Sequence, residues 1–158
     1  MIVNLLIGIY ISLLSEYSPK MQEELIQREE IVKETYSVTE EDLENLVMVT
    51  YAESRGESDL GKRLVIDTVL NRTDSTDFED QITDVIYEPN QYTSMDIKVG
   101  IKGIKKDEIA AKDWVNIELL ILDEIENRTN KEVLYYRTKQ YHKFGIPVIT
   151  EGNHYFSK

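Results

Sequence analysis

Cysteine is absent from the 158-residue chain, which removes disulfides, a thiolate nucleophile and Cys-ligated metal centres, and leaves the redox compartment open. Histidine is nearly as scarce, with two residues, so zinc has too few ligands and neither a metal nor a cofactor is expected. Positive charge is in deficit as well: 18 Lys and Arg stand against 30 Asp and Glu, for a net charge of -12. Simple electrostatics then opposes binding to nucleic acid or to an anionic membrane. No GxGxxG, Walker loop, HExxH or GxSxG occurs, so dinucleotide, phosphate, zincin and hydrolase-elbow chemistries lose their usual signatures. No apolar run reaches the roughly 20 residues that span a bilayer as a helix. The nearest, residues 2–14, is broken only by Asn4, Gly8 and Ser12 and has the length of a signal-peptide core, but no Lys or Arg precedes it and no clear cleavage site follows. Residues 1–20 therefore read as an export signal or uncleaved membrane anchor, or as a helix packed on the protein itself. Either membrane reading puts the remainder outside the cytoplasm.

What is present describes one globular domain. The apolar share of 41% is ordinary for a folded chain of this size. Residues 21–38 are acidic, with Glu23, Glu24, Glu29, Glu30 and Glu34 around a sparse set of Leu25, Ile26, Ile31 and Val32, and read as a helical or flexible spacer. The domain proper is expected over residues 39–158. Thr39 and Asp42 form a capping-box pair, and Val38 and Leu43 have the spacing of a hydrophobic staple. The helix they start places Leu43, Leu46, Val47, Thr50 and Ser54 on one face and carries Glu53 near its end.

Beyond Gly56, where a sharp turn is expected, Ser58 or Asp59 can cap a second helix to about Arg72, with Leu60, Gly61, Leu64, Val65, Thr68 and Val69 as its buried face. Thr76 or Asp77 signals a short third helix with Ile82, Val85 and Ile86, ending at Pro89. A polar, aromatic loop follows over residues 90–94, and a surface loop over 98–106. A long helix is expected from Asp107 to about Asn127, with Trp114 in the core. The tail changes period: residues 133–137 and 154–157 are aromatic and β-prone and read as strands of a small antiparallel element. The fold class is thus mainly α (α+β).

Glu53 sits on the margin of its helix's apolar stripe. Half desolvation there raises a carboxyl's pKa and suits a general acid. The same position equally suits a solvated helix-end Glu paired with Arg55. His142 and His154 could flank a site or be structural. Glu53, Glu57, Gln91, Tyr92, Tyr135, Tyr136 and Tyr155 together have the composition of a carbohydrate cleft, in which aromatic faces stack on sugar rings and amides bond hydroxyls.

Tyr51-Ala-Glu-Ser-Arg-Gly-Glu57, Gly61, Val69-Leu-Asn-Arg72, Val85-Ile-Tyr-Glu-Pro89, Gln91-Tyr92 and Gly152-Asn-His-Tyr-Phe156 resemble, in order and spacing, the SleB/CwlJ-type cell-wall hydrolases over roughly residues 43–156. The resemblance implies a lysozyme-like, mainly helical domain that cleaves the N-acetylmuramic acid to N-acetylglucosamine bond of peptidoglycan glycan strands. It places the catalytic acid/base on Glu53, in a lytic transglycosylase scheme that closes a 1,6-anhydro ring. Glu57 becomes a bracing residue, with Arg55 or Asn71 as its partner, and Gln91 and Tyr92 line the sugar groove, with Tyr136, His154 and Tyr155 as further supporting residues. A water-using muramidase, with Glu57 activating the water, and a non-catalytic wall-binding or phage structural module are the alternatives. The segment Tyr141-His-Lys-Phe-Gly145 departs from the family pattern, where many members carry a Pro-Trp stretch.

Overall fold

The computed structural model describes residues 17–92, 94–95 and 104–158. Among them, five α-helices precede a three-stranded antiparallel sheet: α1 Pro19–Tyr36, α2 Glu40–Ser54, α3 Asp59–Thr73, α4 Ile82–Tyr87, α5 Ala111–Glu126, β1 Tyr135–Thr138, β2 Pro147–Glu151 and β3 His154–Ser157. The chain is mainly α with a small sheet near its C-terminus, as the hydrophobic periods predict. The apolar segment at 2–14 and most of the loop expected at 98–106 lie outside the described residues.

Helix α2 is the central element. Its capping box forms: Asp42 N–H donates to Thr39 Oγ1 (3.1 Å), and Thr39 N–H donates to Asp42 Oδ2 (3.0 Å). The other Asp42 oxygen accepts from the backbone N–H (3.0 Å) and hydroxyl (2.7 Å) of Thr83, so one carboxylate fixes the starts of both α2 and α4. Burial opposes that charge, but the hydrogen bonds from Thr39 and Thr83 prevail and hold the carboxyl below its usual value. Helix α2 packs against α3, α4 and α5. Leu46, Val49, Ile66, Val69, Val85 and Ile121 fill the space between them and are fully buried. Each such side chain contributes about 1.5–3 kcal/mol through burial. Trp114, 3% exposed, belongs to this core as expected.

Several boundaries differ from the sequence expectation for identifiable reasons. Ser58 is the cap of α3, accepting from Gly61 N–H at 3.1 Å, but Leu60 points outward and is 38% exposed. Helix α4 begins at Ile82, past Thr76 and Asp77, whose segment forms a local turn in which Asp77 N–H donates to Ser75 Oγ at 3.3 Å. The long helix expected from Asp107 is present as the 16-residue α5 but starts later, at Ala111. Lys106–Glu108 is a single 3₁₀ turn, and Ile109 and Ala110 are extended, which swings Ile109 into the core before α5 starts at Ala111. Gly56 needs no left-handed backbone; the turn closes ordinarily, with Glu57 N–H donating to Ser54 O at 2.9 Å.

The stretch read as a spacer is an 18-residue helix, α1, packed along α5. Leu25 and Val32 are buried against Val115 and Leu122, and Arg28 joins Asp123 and Glu126 at 2.7 Å each.

The sheet has the order β1-β3-β2. Strand β2 has no sequence forecast: Pro147 opens it and a register shift interrupts its pairing by Ile149, which an edge strand tolerates. Phe156 of β3 packs on Leu64 and Val65 of α3 together with Val133. The loop leading into β1 is held by buried polar groups. Asn71 Nδ2 donates to the carbonyls of Asn130 (2.9 Å) and Val133 (2.8 Å), and Asp67 accepts from Asn130 N–H (2.7 Å). Glu124, fully buried, accepts from Arg63 (2.6 Å) and from Thr129 N–H (2.5 Å). Burial, and next the neighbouring Glu124, push the Asp67 carboxyl up to about 8. This network sets where β1 departs, and β1 carries one wall of the site.

Candidate active site

Helix α2 delivers Glu53 half-buried to the floor of a cleft of about 410 Å³. Both of its carboxyl oxygens are engaged: Ser94 Oγ donates to Oε1 at 2.5 Å and Tyr136 OH donates to Oε2 at 3.0 Å. Ser94 comes from the loop after α4, and Tyr136 from β1, 83 positions along the chain. The tertiary fold thus orients the Glu53 carboxyl from two sides. Burial, and next the Glu53 charge, keep the Tyr136 phenol well above its ordinary value, so the hydroxyl serves as a donor and not as a base. The Tyr136 ring is itself clasped by His154 (centroids 5.0 Å) and Phe156 (5.6 Å) of β3, on the same face of the sheet.

A polar latch holds the sheet against the end of α2. Glu57, in the α2–α3 turn, accepts from Asn153 Nδ2 (3.0 Å) and from Asn153 N–H (3.3 Å), and Ser58 Oγ donates to Glu151 (2.7 Å). Gly152 is required at the hairpin tip on two counts. Its φ of +54° lies in the left-handed region, and a Cβ there would fall 1.7 Å from Glu57 Oε2. The partner of Glu57 is therefore Asn153 and neither Arg55 nor Asn71. Asn71 fastens the loop before β1. Arg55 is exposed and lies over the Tyr51 ring at 5.7 Å, on a separate groove lined also by Asp59 and Lys62.

Of the residues singled out from sequence, Glu53, Gln91, Tyr135, Tyr136, His142 and His154 line the cleft. Tyr92 does not: it is 2% exposed, a core residue behind the Tyr136 ring at 6.3 Å. Burial pushes its hydroxyl up to about 12. Tyr155 points to the opposite face of the sheet, edge-on to Tyr141 at 5.2 Å, because successive strand residues alternate. The cleft also contains residues not assigned to it from sequence: Arg72, Asn90, Arg137, Thr138 and Phe144. Tyr135, His142 and Phe144 form an aromatic rim, with Phe144 rings 5.2 Å from Tyr135 and 4.9 Å from His142. Phe144 is nevertheless 72% exposed. The signal for this rim was the unusual Tyr141-to-Gly145 segment, whose exposed aromatics have no core to fill. Ser94 carried no signal, since a serine in a polar loop is unremarkable.

An acid held from both sides on a cleft floor, with amides and exposed rings around it, can protonate a leaving oxygen of a bound saccharide. Comparison with known proteins finds similarity to enzymes that act on the cell wall. The chain is 29% identical over 80 residues to a spore cortex-lytic enzyme of Halalkalibacterium halodurans, an alignment covering 51% of this chain and 24% of that protein, so the chain spans about a quarter of the relative. Its fold is similar to the crystal structure of the catalytic domain of the Bacillus cereus SleB protein, with a TM-score of 0.62, 26% identity, and coverage of 77% of this chain and 92% of the other. It is similar also to the catalytic domain of the germination-specific lytic transglycosylase SleB from Bacillus anthracis, with a TM-score of 0.59, 26% identity, and coverage of 76% and 96%. The sequence profile described as Cell Wall Hydrolase matches residues 56–157, starting three residues after Glu53 and running through β3. The chain belongs to the cell wall hydrolase family.

Proposed function

We propose that this protein cleaves the glycan strands of peptidoglycan between N-acetylmuramic acid and N-acetylglucosamine, as a lytic transglycosylase, outside the cytoplasm. The observation that carries the reading is that Glu53 is the one carboxylate lining the cleft among the described residues, and both its oxygens are positioned by hydroxyls. Protonated Glu53 gives its proton to the glycosidic oxygen as the bond to C1 breaks. The resulting carboxylate then takes the proton of the muramic 6-hydroxyl as that oxygen closes on the oxocarbenium-like C1, which yields the 1,6-anhydro end. One carboxyl serves both steps. Water activation by Glu57 is disfavoured, because Glu57 is engaged by Asn153 and does not line the cleft.

The test is product analysis on purified cortex and vegetative peptidoglycan. The wild type is expected to release muropeptides with anhydro ends, and Glu53→Gln to release none while keeping its melting temperature. Wild-type release by Glu53→Gln would sink the assignment. Reducing ends in place of anhydro ends would convert it to a hydrolase, and binding without any product would make the chain a wall-binding module.

A further inference from the structure

Arg72 is the anomaly of the cleft. It is 4% exposed and lines the same cleft as Glu53. Its Nε donates to the Leu134 carbonyl at 2.8 Å, but among the described residues the buried Nη1 has no acceptor and no carboxylate stands within 4 Å of the guanidinium. Glu53 and Glu88 come near enough that their charges, with that of Arg72, are all felt at the Tyr92 hydroxyl, yet neither forms an ion pair with it. Three rings surround the cation instead: Phe78 at 4.9 Å, Tyr92 at 5.2 Å and Tyr135 at 5.6 Å. These π faces partly compensate the buried charge, but they accept no hydrogen bond from the unfilled Nη1. Buried guanidinium groups ordinarily have a carboxylate or full hydrogen bonding. The second oddity is the sign of the cleft. In a chain of net charge -12, its lining holds Arg72 and Arg137 and two histidines against the single carboxylate of Glu53.

We propose that Arg72, with Arg137 at the rim, forms a subsite for a carboxylate carried by the glycan substrate. This rests on the glycan-cleaving reading above and adds the substrate feature that the cleft selects. A carboxylate supplies the acceptor and the counter-charge that the fold withholds from Arg72, and Arg fits a carboxylate with two parallel N–H donors. Two groups on a muramyl chain have this chemistry: the lactyl ether on the sugar, where it carries no peptide, and the acidic residues of a stem peptide. Neutral N-acetylglucosamine has neither.

The experiment measures binding to full-length Glu53→Gln protein by titration calorimetry with three β-1,4-linked tetrasaccharides of alternating N-acetylglucosamine and N-acetylmuramic acid. One has free lactyl carboxylates, one has these converted to neutral methylamides, and one carries L-Ala-D-Glu stems. A charge-assisted contact predicts that at least one acidic ligand binds roughly tenfold or more tightly than the methylamide at low salt. That ratio is expected to fall toward one in 1 M NaCl and in Arg72→Met, with affinity for the methylamide retained. Whichever acidic ligand gains identifies the source of the carboxylate. Arg137→Gln, an exposed change, is expected to lower the ratio with no effect on folding, so the test survives if Arg72→Met fails to fold. Equal affinity for all three ligands, or no binding of any, overturns the subsite. Glycan cleavage that requires Glu53, found together with equal affinities, would leave the proposed function standing and remove only this inference.

Discussion

The buried pair Asp67 and Glu124 makes the fold lose stability as pH rises, and the size of the loss follows from one proton. Asp67 is fully buried, accepts from Asn130 N–H, and has a second oxygen, Oδ1, with no donor from the protein. Glu124 beside it is also fully buried and already serves Arg63 and Thr129. Burial first, and then Glu124, push the Asp67 carboxyl from 3.8 to about 8. Between those values the folded chain holds a proton that the unfolded chain has released. The native state binds more protons there, so stability declines with pH at about 1.4 kcal/mol per unit. From pH 5 to 7.5 this amounts to about 3 kcal/mol, or roughly 10 °C in melting temperature for a domain of this size.

Other shifted groups act elsewhere on the pH scale. Asp42 and Asp123 are held low against the opposing effect of burial, the first by Thr39 and Thr83 and the second by Arg63 and Arg28, so their contributions are lost only as pH falls below about 4. Lys33, which burial would lower but Glu30 and Glu40 raise, keeps its contribution until strongly alkaline pH. Asp67→Asn retains an acceptor for Asn130 and can donate to Glu124 without titrating. Urea denaturation at a series of pH values should show the decline in wild type and a nearly flat line in the variant, which becomes the more stable of the two at pH 7.5. Parallel pH dependences for the two proteins would refute the assignment of the proton to Asp67.

Removing the Tyr136 hydroxyl takes one donor from Glu53, so Tyr136→Phe should lower kcat on peptidoglycan by roughly 10- to 100-fold with little change in melting temperature, the scale of one hydrogen bond to a charged group. Gly152→Ala should destabilise by about 1–3 kcal/mol from its left-handed backbone and its collision with Glu57; in a Glu57→Ala background the penalty should shrink to the backbone part, which a double-mutant cycle by chemical denaturation reads directly. Leu46→Ala, at a fully buried position of α2, should cost about 2–5 kcal/mol in the same assay and leave the α1–α5 contact intact. Phe144→Ala, at a ring 72% exposed on the cleft rim, should raise KM for polymeric substrate several-fold at unchanged melting temperature; an unaltered KM would show that the rim makes no sugar contact.

The helical half of the fold was legible because its signals are local. The Thr39 and Asp42 capping box, the Ser58 cap and the apolar spacing of Leu43, Leu46, Val47, Val65 and Val69 are each readable within one or two turns of chain. The errors arose where a tertiary contact overrode a local preference. Ile109 moves the start of the helix expected from Asp107 to Ala111, its extended backbone placing the side chain in the core. Leu25 and Val32 were too sparse to announce a core face, yet a narrow stripe is enough when the partner helix α5 supplies Val115 and Leu122 and ion pairs flank it. Strand β2 went unread although Val148, Ile149 and Thr150 are β-prone, because Gly145, Pro147 and Gly152 bracket them with turn and breaker residues, and its pairing with β3 comes from the hairpin turn at Gly152.

The site divides along the same line. Glu53 could be placed from its helix, but what distinguishes it from any other helix-end glutamate is the pair of hydroxyls on its carboxyl, and those arrive from 41 and 83 positions away. Tyr136 reaches Glu53 only because β1 leaves the α5 loop at the angle set by Asn71, Asp67 and Glu124, and because Glu57 binds the hairpin tip at Asn153 and so holds β3 behind the Tyr136 ring. Glu57 and Asn71, two residues that never enter the cleft, thereby determine the geometry of one that does. A mutation at either should act on Glu53 through the position of Tyr136, so Tyr136→Phe should make the enzyme insensitive to Glu57→Ala in kcat. If the two losses multiply instead, the latch reaches the chemistry by some route other than this hydrogen bond.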